Sequence, residues 1–245
     1  MNNNKLAFFL LGATLALGLG WSAHLIGTAL VKMKQESSIK VKGTAENIIE
    51  SDIATWSCGY TVRNVDLKAA YTELEAAKIT VIDYLAKNGI QSNLIEINNI
   101  GIKRIMKKNE QGDHDTNTVE FYELYQSLKI ESNEVLKMKV ISRSITDLVK
   151  SGIEINSETP QFIYSKLDSI KLELLGRATQ NAYDRAQIIA THGGGKIAGL
   201  ASASQGIFQI TAVNSMDTSD SGSFDMGSIK KSIKCVVTLD FNLGR

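Results

Sequence analysis

From Ala7 to Val31 the chain reads AFFLLGATLALGLGWSAHLIGTALV, a run without Asp, Glu, Lys or Arg in which His24 is the one ionisable residue. At about 1.5 Å per residue, a helix of that length crosses the roughly 30 Å hydrocarbon core of a bilayer. Lys32 to Ser38 (KMKQESS) is charged and polar and reads as a short linker. Two alternating runs follow, Ile39–Ile49 and Asp52–Arg63, joined by the turn-like Glu50-Ser51-Asp52. In the second, Ala54, Trp56, Cys58, Tyr60 and Val62 share one side of a strand and Thr55, Ser57 and Thr61 the other, which predicts a hairpin.

The period then changes. Asp66 is placed to cap a helix in which Leu67, Ala70, Tyr71, Leu74, Ala77, Val81 and Leu85 recur at helical spacing, and Asn88-Gly89 stops it. Leu94–Met106 reads as a strand, Lys107–Asn117 as a polar loop and Thr118–Glu131 as a second strand. Asn133–Lys150 reads as a helix carrying Leu136, Val140, Ile145, Leu148 and Val149, closed by Ser151-Gly152. Short strands at Ile153–Ile155 and Gln161–Lys166 flank Pro160. The longest helix, Asp168–Thr191 with Asp168 as its cap, has the stripe Leu175, Ala178, Ala182, Ala186, Ile189 and Ala190, small enough to lie close against a sheet. Ile197–Ile210 and Ser232–Asn242 read as the last strands, and Thr211–Ser228, rich in Ser, Asp, Gly and Met, as a mobile loop. Strand–helix–strand units bracketed by hairpins predict an α+β fold, helices packed on largely antiparallel sheets. The organisation is a tail (1–6), an apolar helix (7–31), a linker (32–38) and an α+β domain (39–245) with a two-lobe duplication.

Charge narrows the partners. All 26 acidic residues and 26 of the 27 Lys and Arg lie beyond Val31, so the domain is formally neutral. It carries neither the basic footprint of a nucleic-acid binder nor a polybasic strip for anionic lipid. The partner that the sequence names is the bilayer itself, through residues 7–31.

Three readings of the apolar run compete, and against the first of them, a buried soluble helix, stands the want of any polar face before Lys32. A cleavable signal has a shorter apolar region, about 7–15 residues, and an A-x-A-like site. The segment Trp21-Ser22-Ala23-His24-Leu25-Ile26-Gly27 has no clean site of that kind, which favours an uncleaved single-pass anchor. The basic residues Lys32, Lys34, Lys40 and Lys42 outnumber Lys5 and, counted alone, place the domain inside the cell. A start of the form MNNNK followed by an apolar run is instead typical of export. Within the run, Gly12, Ala16, Gly20, Ala23 and Gly27 recur at spacings of 4, 4, 3 and 4, which puts five small residues on one face where a second helix can approach.

Candidate chemistry is sparse. Asp113-His114-Asp115 offers metal-type ligands, but three successive residues in a polar loop read as solvated. His192 stands where a positive charge favours the last carbonyls of a helix. Gly193-Gly194-Gly195 follows a helix, whereas phosphate cradles precede one, so it reads as a left-handed terminator. Asp83/Lys87 and Glu173/Arg177 are ordinary helix pairs. No catalytic, metal or cofactor residue emerges, and the expectation is a protein that is not an enzyme and needs no cofactor. Cys58 and Cys235 both face the apolar side of their strands. They are either two buried thiols or, if the first and last strands are neighbours, a disulfide across roughly 4.4–6.8 Å between α-carbons. Such a bond is worth up to about 4–5 kcal/mol in the chain-entropy model.

The chain resembles the SIMPL-domain family of bacterial envelope proteins from about Ile39 to Phe241. The matching pieces are Val41-Lys42-Gly43-Thr44-Ala45, Asp52-Ile53-Ala54, Leu85-Ala86-Lys87-Asn88-Gly89-Ile90, Tyr125-Gln126-Ser127-Leu128-Lys129-Ile130, and the Ala-periodic helix from Ala178 to Gly195 with the strand Ile197–Ile210 after it. It departs from the family at Ser51, where proline is usual, and in Thr211–Ser228, which lacks the family's prolines. The resemblance implies an exported, periplasmic or membrane-attached protein, sometimes forming large homo-oligomers and sometimes linked to stress tolerance, with no established enzymatic activity. The expectation is an inner-membrane, single-pass protein with its C-terminal domain in the periplasm. Its function is then structural or interactive, with self-assembly. The alternative is a module that binds a small ligand or envelope polymer through the loops Lys107–Asn117 and Thr211–Ser228.

Overall fold

The computed structural model describes residues 3–35, 38–112, 115–215 and 221–244, with the side chains of 9–28 in the first helix. That helix, α1, spans Asn3–Gln35. The expected linker is therefore helical up to Gln35, because KMKQ contains good helix formers and no breaker. Glu36 and Ser37 lie outside the described residues. Within α1, Phe9–Thr28 is long and apolar enough to cross a membrane, and none of its side chains is buried. An anchor and a signal sequence both meet that description.

Chain order continues with β1 (Ser38–Glu50), β2 (Ile53–Asn64), α2 (Leu67–Lys87), β3 (Ile95–Ile97), β4 (Gly101–Lys108), β5 (Asp115–Ser132) and α3 (Val135–Ser144). A 3₁₀ turn over Ile145–Ser151 follows, then β6 (Glu154–Ser157), β7 (Gln161–Ile163), α4 (Leu167–His192), β8 (Lys196–Gln205), β9 (Gln209–Ala212) and β10 (Lys230–Gly244). The ladders of β2 with β5, β6 and β7, of β5 with β3 and β4, and of β10 with β8 and β9 are all antiparallel. The fold is thus α+β, with an apolar helix in front. Two compact units share it: residues 1–45, 172–207 and 235–245 form the first, and 46–171 with 208–234 the second.

The second unit is organised on β2 and β5, which pair from Ala54↔Ser132 to Asn64↔Tyr122. Strand alternation sends Ala54, Trp56, Cys58 and Tyr60 of β2, with Leu124, Leu128 and Ile130 of β5, to one side, where all are buried. α2 covers that side with Ala70, Leu74, Ala77, Val81 and Leu85. Its cap is as expected: the Asp66 carboxylate accepts from the Ala69 N–H at 2.8 Å. Leu67 and Tyr71, expected on the buried stripe, fall on its flank and stay exposed. α3 corrects the sequence reading more strongly. Its buried apolar residues are Val135, Met138 and Ile141, followed by Ile145 and Leu148 in the 3₁₀ turn, while Leu136, Val140 and Val149 are exposed. The helix starts at Val135 and tightens after Ser144, so one 3.6-residue period does not run through the segment.

Two further expectations change. Leu94–Met106 is not one strand: Asn98, Asn99 and Ile100 interrupt it, and the Asn98 N–H donates to the Ser127 carbonyl at 2.9 Å. The expected loop Lys107–Asn117 is shorter than predicted, with β4 reaching Lys108 and pairing it with Asp115, and its described turn is confined to 109–112.

In the first unit α4 presents Leu174, Ala178, Ala182, Ala186 and Ala190, a strict four-residue stripe, all buried. Leu175 and Ile189, expected in that stripe, lie beside it, and Ile189 is exposed. Because α4 begins at Leu167, Asp168 sits in its first turn instead of capping it. The close approach of this helix is fixed at Gly43 of β1. A Cβ there would lie 2.1 Å from the Ala178 carbonyl oxygen and 2.5 Å from the Ala182 nitrogen. Around that contact the Asn181 side chain accepts from the Thr44 N–H at 3.1 Å, and Arg185 donates to the Lys42 carbonyl at 3.1 Å. Tyr183 meets Phe241 edge-on, with ring centroids 5.8 Å apart. β10 lies between β1 and β8 in the sheet order, so β8 is an edge strand.

Two strand glycines therefore differ in kind. A Cβ at Gly59 of β2 would come no nearer than 3.5 Å to any atom. Gly43→Ala is expected to cost about 3 kcal/mol or more, because the clash is with helix backbone. Gly59→Ala is expected to be neutral or stabilising by up to about 1 kcal/mol. Urea unfolding of the two variants against the parent chain checks the contrast.

Candidate functional site

The residues singled out by sequence do not converge. Cys58 and Cys235 are free, buried thiols. The disulfide reading assumed neighbouring first and last strands, and β1 does pair with β10; Cys58, however, is on β2, in the other sheet. Burial pushes the Cys58 thiol up to about 12 and raises Cys235 as well, so neither is a ready nucleophile. Asp113 and His114 lie outside the described residues, and Asp115 opens β5. His192 Nδ1 lies 2.9 Å from the Ile188 carbonyl, as a donor at the end of α4. Gly194 has φ +78°, so this triplet ends a helix in the left-handed region. Glu173 and Arg177 pair at 3.4 Å, and Asp83 and Lys87 form no ion pair among the described residues. Gly12, Ala16, Gly20, Ala23 and Gly27 all lie on α1, where a Cβ added at Gly12, Gly20 or Gly27 meets nothing within 4 Å. Among the described residues no three His, Cys, Asp or Glu side chains are grouped to hold a metal.

The described part of Thr211–Ser228 is tied down, contrary to the mobile loop expected. The Ile210 N–H donates to Ser223 and the Asp225 N–H to Ile210, while the Phe162 N–H donates to Met226. The Asp225 carboxylate accepts from the Gly227 and Ser228 N–H groups at 2.8 and 3.1 Å. Burial raises the Asp225 carboxyl, but these hydrogen bonds outweigh it and the net shift is downward. Lys231 is buried and donates to the Phe162 carbonyl. Burial depresses its ammonium, opposed by the charge of Asp225. Asp52 is held low chiefly by the Ser165 hydroxyl at 2.5 Å, aided by the Ser165 N–H at 2.7 Å.

Among the described residues the second unit forms clefts that include the following, each lined by residues outside Lys107–Asn117 and Thr211–Ser228. One of about 440 Å³ lies between Gly89, Glu131 and Lys137, and one of about 560 Å³ between Thr61, Ala76 and Gly152. The third, about 450 Å³, sits on the outward face of the β2–β5–β6 sheet. Its make-up follows from strand alternation: if Cys58 and Tyr60 point into the core, Ser57, Gly59 and Thr61 point out. Register then sets Ser127 and Asn156 on either side of Gly59, and Tyr125 beside Thr61. Tyr125 is 53% exposed, and its ring occupies the space where Gly101 would carry a Cβ, 2.1 Å from the ring carbon Cζ. The ring therefore lies over the Gly101 backbone. Beneath the rim, the buried Gln126 accepts from Tyr60 Oη at 2.7 Å and donates to the Asn98 carbonyl at 2.8 Å, which fixes the joint between β3 and β4. The Tyr60 phenol is raised well above its ordinary value, mainly by burial. Asn98 in turn donates to Ser127 Oγ at 2.9 Å. Sequence reasoning missed this cleft because its residues come from three separate strands and two connections and share no local motif. The exposed aromatic at Tyr125, opposite a glycine, was the signal available.

This α+β body is of a known kind. The chain belongs to the SIMPL family, whose model, described as a protein of unknown function (DUF541), matches residues 39–241. No curated protein matches the chain.

Two outcomes follow from the electrostatics. Unreduced, denatured protein is expected to titrate two thiols, and the folded protein at neutral pH to react with a thiol reagent at least about tenfold more slowly than denatured chain. A carboxyl held low in the folded state contributes stability above its unfolded value near 3.9, lost as pH falls through the folded value. Asp52→Asn is therefore expected to destabilise the protein at pH 7, with the difference shrinking below about pH 4, as read from unfolding midpoints across pH.

Proposed function

We propose that this chain is a membrane-attached protein of the bacterial envelope that works by assembling with copies of itself. Residues 7–31 tether it to the inner membrane, the domain lies in the periplasm, and the role is one related to stress tolerance, to which the family is sometimes linked. The length and apolarity of α1 support the tether. The observation that carries the assembly is β8. It ends the order β1-β10-β8, and of its ten residues only Ile197 is even partly shielded. Both of its faces are open. After Lys196 it reads IAGLASASQ, without charge or proline, whereas protected edges carry Lys, Pro or a cover. Leu200, Ile207, Ile188 and Ile189 of the same unit are each more than half exposed. An uncharged edge of this kind is complementary to its own antiparallel copy, and the five small residues of α1 supply a second contact within the bilayer.

A second reading, a module that binds a small ligand or envelope polymer, draws support from the 450 Å³ cleft, moved from the nominated loops to the sheet face.

Assembly is tested by measuring the mass of the full chain in mild detergent. A discrete oligomer is expected. Leu200→Lys with Ala203→Lys is expected to weaken association about tenfold by setting like charges across the new ladder. Gly20→Ile is expected to weaken it further. A monomer at micromolar concentrations, or an oligomer indifferent to the lysines, overturns the β8 assignment, and indifference to Gly20→Ile overturns the helix contact.

A further inference from the structure

We propose that the outward face of the second unit's sheet, between the bare strand position at Gly59 and the exposed ring of Tyr125, binds a neutral oligosaccharide. This deepens the ligand-binding reading above, on which it rests, by assigning the class of ligand.

The hollow is not a by-product of packing. Gly59 has no positive φ, and a Cβ there would make only ordinary contacts at 3.5 Å or more. A side chain is therefore tolerated where none stands, and its absence opens the floor between Ser127 and Asn156. Beside the floor, the Tyr125 ring is held by its position over Gly101 with half its surface free. Such a platform suits the C–H face of a pyranose, whose weakly positive hydrogens meet the negative face of the ring.

The polar groups around it are of the right kind. Among the described residues, the side chains of Ser57, Thr61, Asn156 and Glu158 make no hydrogen bond, and all four line the cleft. They offer two hydroxyls, an amide and a carboxylate to sugar hydroxyls, on strands and beside them, where geometry is firm. The volume falls in the roughly 300–1,000 Å³ range of ligand sites.

Charge selects a neutral ligand. Glu123 is already engaged by Arg63 at 2.7 Å, and the same guanidinium holds Glu154 at 2.6 Å. Among the described residues no Lys or Arg lines the cleft, Lys129 opposite Ser57 and Lys103 opposite Glu123 standing outside its lining, and a phosphate or uronate would meet the carboxylates of Glu123 and Glu158 at its walls. A cationic ligand would find one unpaired and exposed carboxylate, Glu158, and an exposed ion pair is worth little.

The test uses the full chain in a polyoxyethylene detergent, which has no sugar headgroup. Calorimetric titrations are run with the β-1,4-linked tetramer of N-acetylglucosamine, with maltotetraose, and with choline and spermidine as cationic probes. At least one tetrasaccharide is expected to bind. Gly59→Val is expected to weaken it about tenfold or more while the unfolding temperature holds or rises. Tyr125→Phe is expected to keep binding and Tyr125→Ala to lose it. Binding undiminished in Gly59→Val overturns the location. Binding of an amine but of no sugar overturns the saccharide assignment and leaves the ligand-binding reading standing. Binding of none of the four overturns both.

Discussion

The β2–β5 ladder is buried on one face and open on the other, and most of what is distinctive in the second unit follows from that inequality. Eleven rungs run without a slip from Ala54↔Ser132 to Asn64↔Tyr122. With a side-chain period of two, a shift of one residue would carry Trp56, Cys58 and Tyr60 into water and Ser57, Gly59 and Thr61 into the core. Burial of the inner set under α2 therefore fixes the position of the outer set. The polar face needs no packing partner of its own, because the inner face stabilises the strands that carry it.

The first unit meets a different constraint, the thickness of one helix against a sheet. Alanine at every fourth position of α4 brings the helix axis close, and Gly43 removes the last obstacle. Hydrogen bonds between the Asn181 and Arg185 side chains and the main chain of β1 then cross the contact. Such a seam gains little from the area of any one side chain and relies on dense contact along its length.

Much of this was legible in the sequence, for reasons that can be named. The alternation of β2, the Asp66 cap, the Asn88-Gly89 stop and the alanine stripe each state a local rule that the tertiary structure also obeys. Reading failed where two local rules met within one segment. In Asn133–Lys150 an α-helix passes into a 3₁₀ turn, and the phase error placed Leu136, Val140 and Val149 inside in place of Met138 and Ile141. In Leu94–Met106 the break at Asn98 is held by Ser127, nearly thirty positions away, which no local signal announces. For the cysteines the sequence left a disulfide and two buried thiols open, because strand alternation gives the side a thiol faces but not which strands are neighbours; β1 pairs with β10, whereas Cys58 lies on β2. The cleft depends on register among three strands and on what a glycine omits, so it could only be seen once the strands were aligned.

The chain changes unit four times, at 45/46, 171/172, 207/208 and 234/235. Three of those passages fall inside β1, α4 and β10, in the middle of regular hydrogen-bonded elements and not in linkers. Neither unit is therefore a contiguous stretch of gene, and no single cleavage or truncation releases one of them whole. Evolution cannot shuffle these units as cassettes, and a frameshift anywhere before Cys235 deprives the first unit of the strand between β1 and β8.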